Sequence, residues 1–124
     1  MEITPVVAGG RQLIESYGGG GFQVSGERYR GSVLVVPERT LAWPVASIEE
    51  LTPESLEPLA ELGAFDVVLL GCGPAMALIP ADLRTAVRER GLSLEPMDTG
   101  AACRTYNVLM SEQRQVAAAL IAVD

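Results

Sequence analysis

Lysine and histidine are absent from this chain, and all nine of its basic residues are arginine. Without lysine there is no Schiff-base chemistry. Without histidine there is no side chain that ordinarily shuttles protons near neutral pH. Only two cysteines occur, Cys72 and Cys103, so the usual donors of a metal site are scarce and neither a metal nor another cofactor is expected. So few cysteines read as reduced thiols rather than a disulfide framework. Cations are outnumbered as well: sixteen acids against nine bases leave a net charge of −7. That balance argues against a nucleic-acid partner, whose affinity rests on clustered cations displacing phosphate counterions. Long apolar runs are missing too. Phe65–Leu70 and Val116–Val123 are far too short to span a bilayer, so no transmembrane segment is expected. Met1-Glu2-Ile3-Thr4-Pro5 has neither the basic nor the apolar region of an export signal. Cytoplasmic residence is the resulting expectation.

What remains is an ordinary globular composition, 48% hydrophobic and 20% charged over 124 residues. A chain of this length buries roughly two-thirds of its unfolded surface, enough for one core without covalent staples. No repeat, charged tail or Ser/Gly linker divides it, so residues 1–124 are expected to form a single domain.

Apolar periodicity predicts an α/β chain with a mixed sheet, hairpins first and βαβ units second. Phe22-Gln23-Val24 and Glu27-Arg28-Tyr29 alternate on either side of Ser25-Gly26, a two-residue hairpin signal. The preceding Gly18-Gly19-Gly20-Gly21 reads as a backbone hinge or bulge rather than a linker. Ser32–Val36 is a β-branched run ended by Pro37, and Thr40–Trp43 is a further extended piece ended by Pro44. Ser47 and Glu50 have capping-box spacing, and Thr52-Pro53-Glu54 opens a helix with Leu56, Leu59 and Leu62 inward and Pro58 weakening it. Val67–Leu70 is an all-apolar strand. Asp82–Arg90 is helical with Leu83, Ala86 and Val87 inward and Gly91 closing it. Leu92–Met97 is a strand, and Thr99–Met110 is a helix capped by Asp98 or Thr99. Gln115–Val123 balances alanines that favour helix against Val and Ile that favour strand; a strand completing the sheet is expected.

Two segments carry candidate binding residues. Gly71-Cys72-Gly73-Pro74 follows an apolar strand, where glycine permits close backbone approach and amide concavities can hold anions. It is neither a dinucleotide fingerprint nor a Walker loop: Met76 stands at the third glycine position, and no Gly-Lys-Ser/Thr follows. The plain alternative is a tight strand exit. The second segment runs from Met97 to Asn107. A helix starting at Thr99 would aim free amides toward the same sheet edge, with Thr99, Cys103 and Tyr106 near one stripe and Arg104 and Asn107 beside it. Equally, Asp98 and Thr99 could simply cap the helix while Cys103 and Tyr106 pack inside. A helix dipole and Arg104 favour a reactive Cys103, but no histidine exists to act as its base, and the spacing to Cys72 is no Cys-x-x-Cys. No catalytic residue is assigned. The candidate ligand- or partner-binding residues are Gly71, Cys72, Gly73, Asp98, Thr99, Cys103, Arg104, Tyr106 and Asn107.

Three segments taken in order resemble one family. They are Tyr17–Val24 leading into Gly31–Val35, then Leu69-Leu70-Gly71-Cys72-Gly73, then Met97-Asp98-Thr99 with Ala101–Leu109. The chain is similar to the family of mitochondrial complex I assembly factor 3 and its bacterial relatives, the domain of unknown function 498, and looks like a bacterial-type member. The resemblance implies a compact three-layer α/β fold. It also implies protein partners among complex I subunits or assembly factors, and a position peripheral to the inner membrane through such a partner. It brings no catalytic residues. The family's glycine turn commonly carries threonine where this chain has Cys72, which argues against a shared Cys72–Cys103 redox mechanism.

The leading expectation is a non-enzymatic binding or assembly protein using the edge formed by Gly71–Gly73 and Asp98–Asn107. The alternative is a small anionic ligand at that edge, with or without catalysis, held by Arg104 while Tyr106 or Cys103 supplies polarity or chemistry. A third reading makes the small residues Gly100, Ala101 and Ala102 a homodimer contact. Monomer and homodimer both stay open.

Overall fold

The computed structural model describes residues 11–124. The Met1–Pro5 stretch, read above for an export signal, lies outside the described residues.

The first three strands, β1 (Ile14–Gly18), β2 (Gly21–Val24) and β3 (Glu27–Arg30), form an antiparallel sheet in chain order. Ser25 and Gly26 sit at φ 45° and 86°, the pair of left-handed residues a tight two-residue hairpin needs, as expected from the sequence. The glycine run does something other than hinge or bulge. Gly19 and Gly20, at φ 61° and 80°, form the turn of a second hairpin in which Gly18 pairs with Gly21. β1 escaped the sequence pattern because Glu15-Ser16 interrupts its apolar alternation and its register shifts between Ile14 and Ser16.

The larger sheet contains β4 (Val33–Val36), β5 (Arg39–Ala42), β6 (Val67–Gly71), β7 (Leu94–Met97) and β8 (Val116–Leu120). Its order is β5-β4-β8-β6-β7. β6 runs parallel to both β7 and β8, while β4 is antiparallel to β5 and β8, giving the mixed sheet expected. The ambiguous tail is therefore a strand, and a central one.

The helices α1 (Glu57–Leu62), α2 (Ala81–Glu89) and α3 (Thr99–Ser111) explain why β4, β6 and β8 are apolar along their whole length. Alternate residues enter two different cores. Leu34, Val68, Leu70 and Ala117 face Leu56, Leu59 and Val87 on the side of α1 and α2. Val33, Val35, Leu69 and Ala118 face Tyr106 and Met110 of α3, together with Ile14 and Phe22 of the smaller sheet. The result is three layers. Each fully buried Val, Leu or Phe contributes roughly 1.5–3 kcal/mol relative to exposure. In β8, Ala117, Ala118 and Ala119 are fully buried, their small side chains leaving room for neighbours on both faces. A larger residue there would overpack the site at a cost of about 1–3 kcal/mol.

Local signals fare unevenly. Thr52 accepts the Ser55 N–H at 3.1 Å, the cap expected of it. A 3-10 turn over Glu54–Leu56 then precedes α1, with Pro58 in the first helical turn, where its missing N–H costs little. The Ser47–Glu50 capping box does not form. Ile48–Glu50 is a 3-10 turn whose Ser47 makes no side-chain cap, and the Glu50 carboxylate instead accepts the Ala46 N–H at 2.9 Å. In α2 only Val87 is fully inward, Leu83 and Ala86 being half-buried, and Gly91 at φ 83° follows the helix. Asp98, rather than Thr99, caps α3 by accepting the Ala101 N–H at 2.8 Å.

Candidate functional site

Three parallel strands deliver their carboxyl ends to one edge of the larger sheet: Gly71 of β6, Met97 of β7 and Leu120 of β8. The segments leaving them carry Cys72–Gly73, Asp98–Thr99 and Ile121–Asp124. In open α/β sheets this edge is where ligands and partners collect. The two candidate segments of the sequence therefore do meet here.

Their contacts are mostly internal. The Thr99 N–H donates to the Gly73 carbonyl at 2.9 Å, and the Gly73 N–H donates back to Thr99 Oγ1 at 3.0 Å. The same hydroxyl donates to the Ile121 carbonyl at 2.7 Å, and the Cys72 N–H donates to the Met97 carbonyl at 2.8 Å. One threonine thus ties all three exits together. The amides of Gly73, Thr99 and Ala101, which could have cradled an anion, are committed within the chain. Gly71 is needed for this closeness: a Cβ there would lie 3.0 Å from both Cα and Oγ1 of Thr99.

Further along α3 the candidate side chains turn inward. Asn107 accepts the Ile14 N–H at 3.0 Å and donates to the Ile14 carbonyl at 2.7 Å, so it clamps β1 from both sides. The Tyr106 hydroxyl donates to the Gln12 carbonyl at 3.2 Å, and burial raises its pKa. Cys103 is fully buried; burial pushes its thiol up to about 12, with Arg104 only partly opposing the shift. Cys72 is also buried, but in the core on the side of α1 and α2, whereas Cys103 belongs to the core under α3. The sheet separates the two thiols. Among the described residues, no buried polar side-chain atom is left without a hydrogen-bond partner.

Arg104 differs from these. Its side chain is exposed and donates to the Tyr17 hydroxyl at 3.4 Å. Tyr17, not among the candidate binding residues, stands on the candidate edge, lining a depression of about 230 Å³ with Gly73, Pro74, Asp98 and Gly100. A Cβ on Gly100 would come within 2.5 Å of the Tyr17 hydroxyl, so glycine is what seats that ring. The loop from Cys72 to Pro80 forms the other wall and exposes Met76 and Leu78. Neither residue was among the candidate binding residues read from the sequence.

Residues 14–121 match the family described as "Protein of unknown function (DUF498/DUF598)". The chain belongs to this family. Within the DUF498/DUF598 family it is 38% identical, over 87% of its length and 82% of the relative's, to an uncharacterized protein of Rhodobacter capsulatus. It is 34% identical, over 88% of its length, to NADH dehydrogenase [ubiquinone] 1 alpha subcomplex assembly factor 3 of Xenopus tropicalis. The chain spans 60% of that longer relative. A crystal structure of a Bordetella parapertussis protein superposes with a TM-score of 0.83 at 34% identity, covering 95% of this chain and 99% of that one. The three segments on which the resemblance rests fall on the β1–β2 hairpin with β4, on the exit of β6, and on α3. Among the described residues, no helix is long and apolar enough to cross a membrane.

Proposed function

We propose that this protein is a non-enzymatic assembly factor for respiratory complex I that works through protein contacts. Its contact surface is the edge formed by Gly71–Gly73 and the start of α3, with the exposed Arg104 and the half-buried Tyr17 it bonds as the polar pair. What supports this reading is how the edge uses its polar groups. Thr99, Asn107 and Tyr106 bond to backbone of their own chain, and both thiols are buried. What such a surface offers a visitor is shape, one cation beside the carboxylates of Asp98 and Asp124, and the apolar side chains exposed on the adjoining loop, which are the materials of a protein interface. Kinship with proteins named as complex I assembly factor 3 supplies the process. Peripheral attachment to a membrane would then come from the partner.

Affinity capture from a lysate that includes membranes, comparing wild type with Arg104→Ala, tests the proposal. Arg104 is exposed, so its truncation should leave the melting temperature within about 2 °C of wild type. Complex I subunits or their assembly factors should be recovered with wild type and depleted with the variant. Recovery of none of them, or equal recovery by the variant, would count against the reading or against this surface, respectively.

A further inference from the structure

The candidate edge does not end at Pro74. A depression of about 310 Å³ lies between Pro74–Ala75 and Ser47–Glu49. Another, of about 340 Å³, continues between Ile48–Leu51 and Ala77–Leu83. The three depressions adjoin in series and are taken together as a groove: Gly73 and Pro74 line both the Tyr17 depression and the 310 Å³ one, and Ile48 and Glu49 line both the 310 and the 340 Å³ ones. The groove follows the irregular Cys72–Pro80 loop, where Leu78 is 87% exposed and Met76 57% exposed. Leu78 does not stand alone: with Ile48, Leu51, Ala77, Ile79 and Leu83 it lines one depression, and contiguous apolar surface of this kind marks interaction sites.

Charge identifies the occupant. The charged side chains lining the three depressions are Glu49, Asp98 and Asp124, all acidic, and no arginine lines any of them. Asp82, exposed at the start of α2, lies in sequence between two lining residues, Pro80 and Leu83. Arg84 of α2 donates to the Leu94 carbonyl at 3.3 Å, and Arg90 at its C-terminal end pairs with Glu54 and Glu57, so neither turns to the groove. Arg104 reaches the groove only through Tyr17 at its far end; along the Pro74–Leu83 stretch the lining charge is carboxylate, and an apolar trough so lined selects apolar anchors flanked by cations.

We infer that the groove along Pro74–Leu83 docks a segment of a partner protein that carries apolar anchors flanked by lysine or arginine. Resting on the assembly reading above, this names the chemistry of the partner. The anchor seats against Leu78 and Ile48, while the cations meet Glu49 and Asp82. Arg104 then reads a separate, acidic feature at the far end of the same edge.

Photo-cross-linking in cells tests this directly, with Ala75→p-benzoylphenylalanine on the groove wall and Glu112→p-benzoylphenylalanine as a remote control. Both positions are exposed, so the chain should fold with either probe. The peptide joined at position 75, sequenced by mass spectrometry, should contain apolar residues with at least two lysines or arginines close by. Leu78→Glu and Glu49→Arg, each added to the probe background, should cut the yield at least fivefold. Far-ultraviolet circular dichroism checks that both still fold. The inference is overturned if the joined segment is acidic, comes from a second copy of this chain or is lipid. Yields at position 75 no higher than at 112, or unchanged by both variants, overturn it as well. A basic apolar segment from a protein unrelated to complex I would keep the groove and sink the assembly reading. Complex I capture that survives Leu78→Glu would do the reverse.

Discussion

Asn107→Ala should destabilise the protein more than any other truncation at the candidate edge that keeps the core volume nearly intact. The amide grips Ile14 twice, through the N–H at 3.0 Å and the carbonyl at 2.7 Å, and Asn107 is only 3% exposed. Alanine removes both bonds and leaves two backbone groups in a site with no room for bulk water. Each unpaired buried group costs about 1–3 kcal/mol, so the pair costs about 2–5 kcal/mol after partial relaxation. Unfolding entropy of about 2.1 cal/mol/K per residue makes each kcal/mol worth about 4 °C in a chain of this size. A fall in melting temperature of about 8–20 °C follows, read by thermal circular dichroism. Hydrogen exchange gives the local signature: the Ile14 amide should lose protection before the amides of β6 and β8 do. Asn107→Asp refines the test. It keeps an acceptor for the N–H but sets a buried carboxylate against the Ile14 carbonyl, which raises its folded-state pKa. The stabilising protonated form is fully present at low pH and lost as pH rises, so this variant should recover part of the deficit in acid, whereas Asn107→Ala should not. A melting shift below about 3 °C for Asn107→Ala, with Ile14 protection unchanged, would refute the clamp and return Asn107 to the pool of binding residues.

Thr99→Val preserves shape but removes the hydroxyl bridging Gly73 and Ile121 at 3.0 and 2.7 Å; a loss of about 2–4 kcal/mol is expected, measured by urea unfolding. Cys103, its thiol pushed up to about 12, should resist iodoacetamide at pH 8 in the folded protein and react on unfolding. Its folded pKa lies above the unfolded one, so its stabilising contribution is complete below about pH 9. It drains away as pH climbs toward about 12, at up to about 1.4 kcal/mol per pH unit, and Cys103→Ala should flatten that decline in pH-dependent unfolding. Gly100→Ala sets two effects against each other: alanine gains up to about 1 kcal/mol of helix propensity, while its Cβ, 2.5 Å from the Tyr17 hydroxyl, displaces a half-buried ring. Near-constant stability with altered Tyr17 ring resonances is the expected result, and a drop beyond about 2 kcal/mol would show that Tyr17 cannot yield.

Elements with one dominant local signal could be read without the structure. The Ser25-Gly26 hairpin, the β-branched run of β4, the apolar β6 and the Thr52 cap each rest on chemistry within a few residues. What the sequence hid depends on distant atoms. All four residues of β4 are apolar, so alternation cannot say that Leu34 serves one core and Val35 the other; only the second covering layer decides it. β1 was missed because Glu15 and Ser16 break its pattern, and its pairing is set by a glycine turn and by an asparagine 93 positions away. The meeting of the Gly71–Gly73 and Asp98–Thr99 segments followed from strand direction. That their amides face each other did not, because Thr99 Oγ1 reaches across three strand exits. Leu78 and Met76 carry no sign of exposure in their identity; the irregular loop that holds them out supplies it.

The position of β8 has a consequence for how the chain comes into being. It follows the other seven described strands in sequence, yet it stands between β4 and β6 and joins the early hairpins to the later βαβ unit. Until Val116–Leu120 has been made, both halves present a long apolar edge with unpaired amides, the state most exposed to wrong partners and to aggregation. Folding of the large sheet thus waits for Val116–Leu120 rather than advancing with each strand, and a nascent chain stalled before residue 116 would be a substrate for holding chaperones.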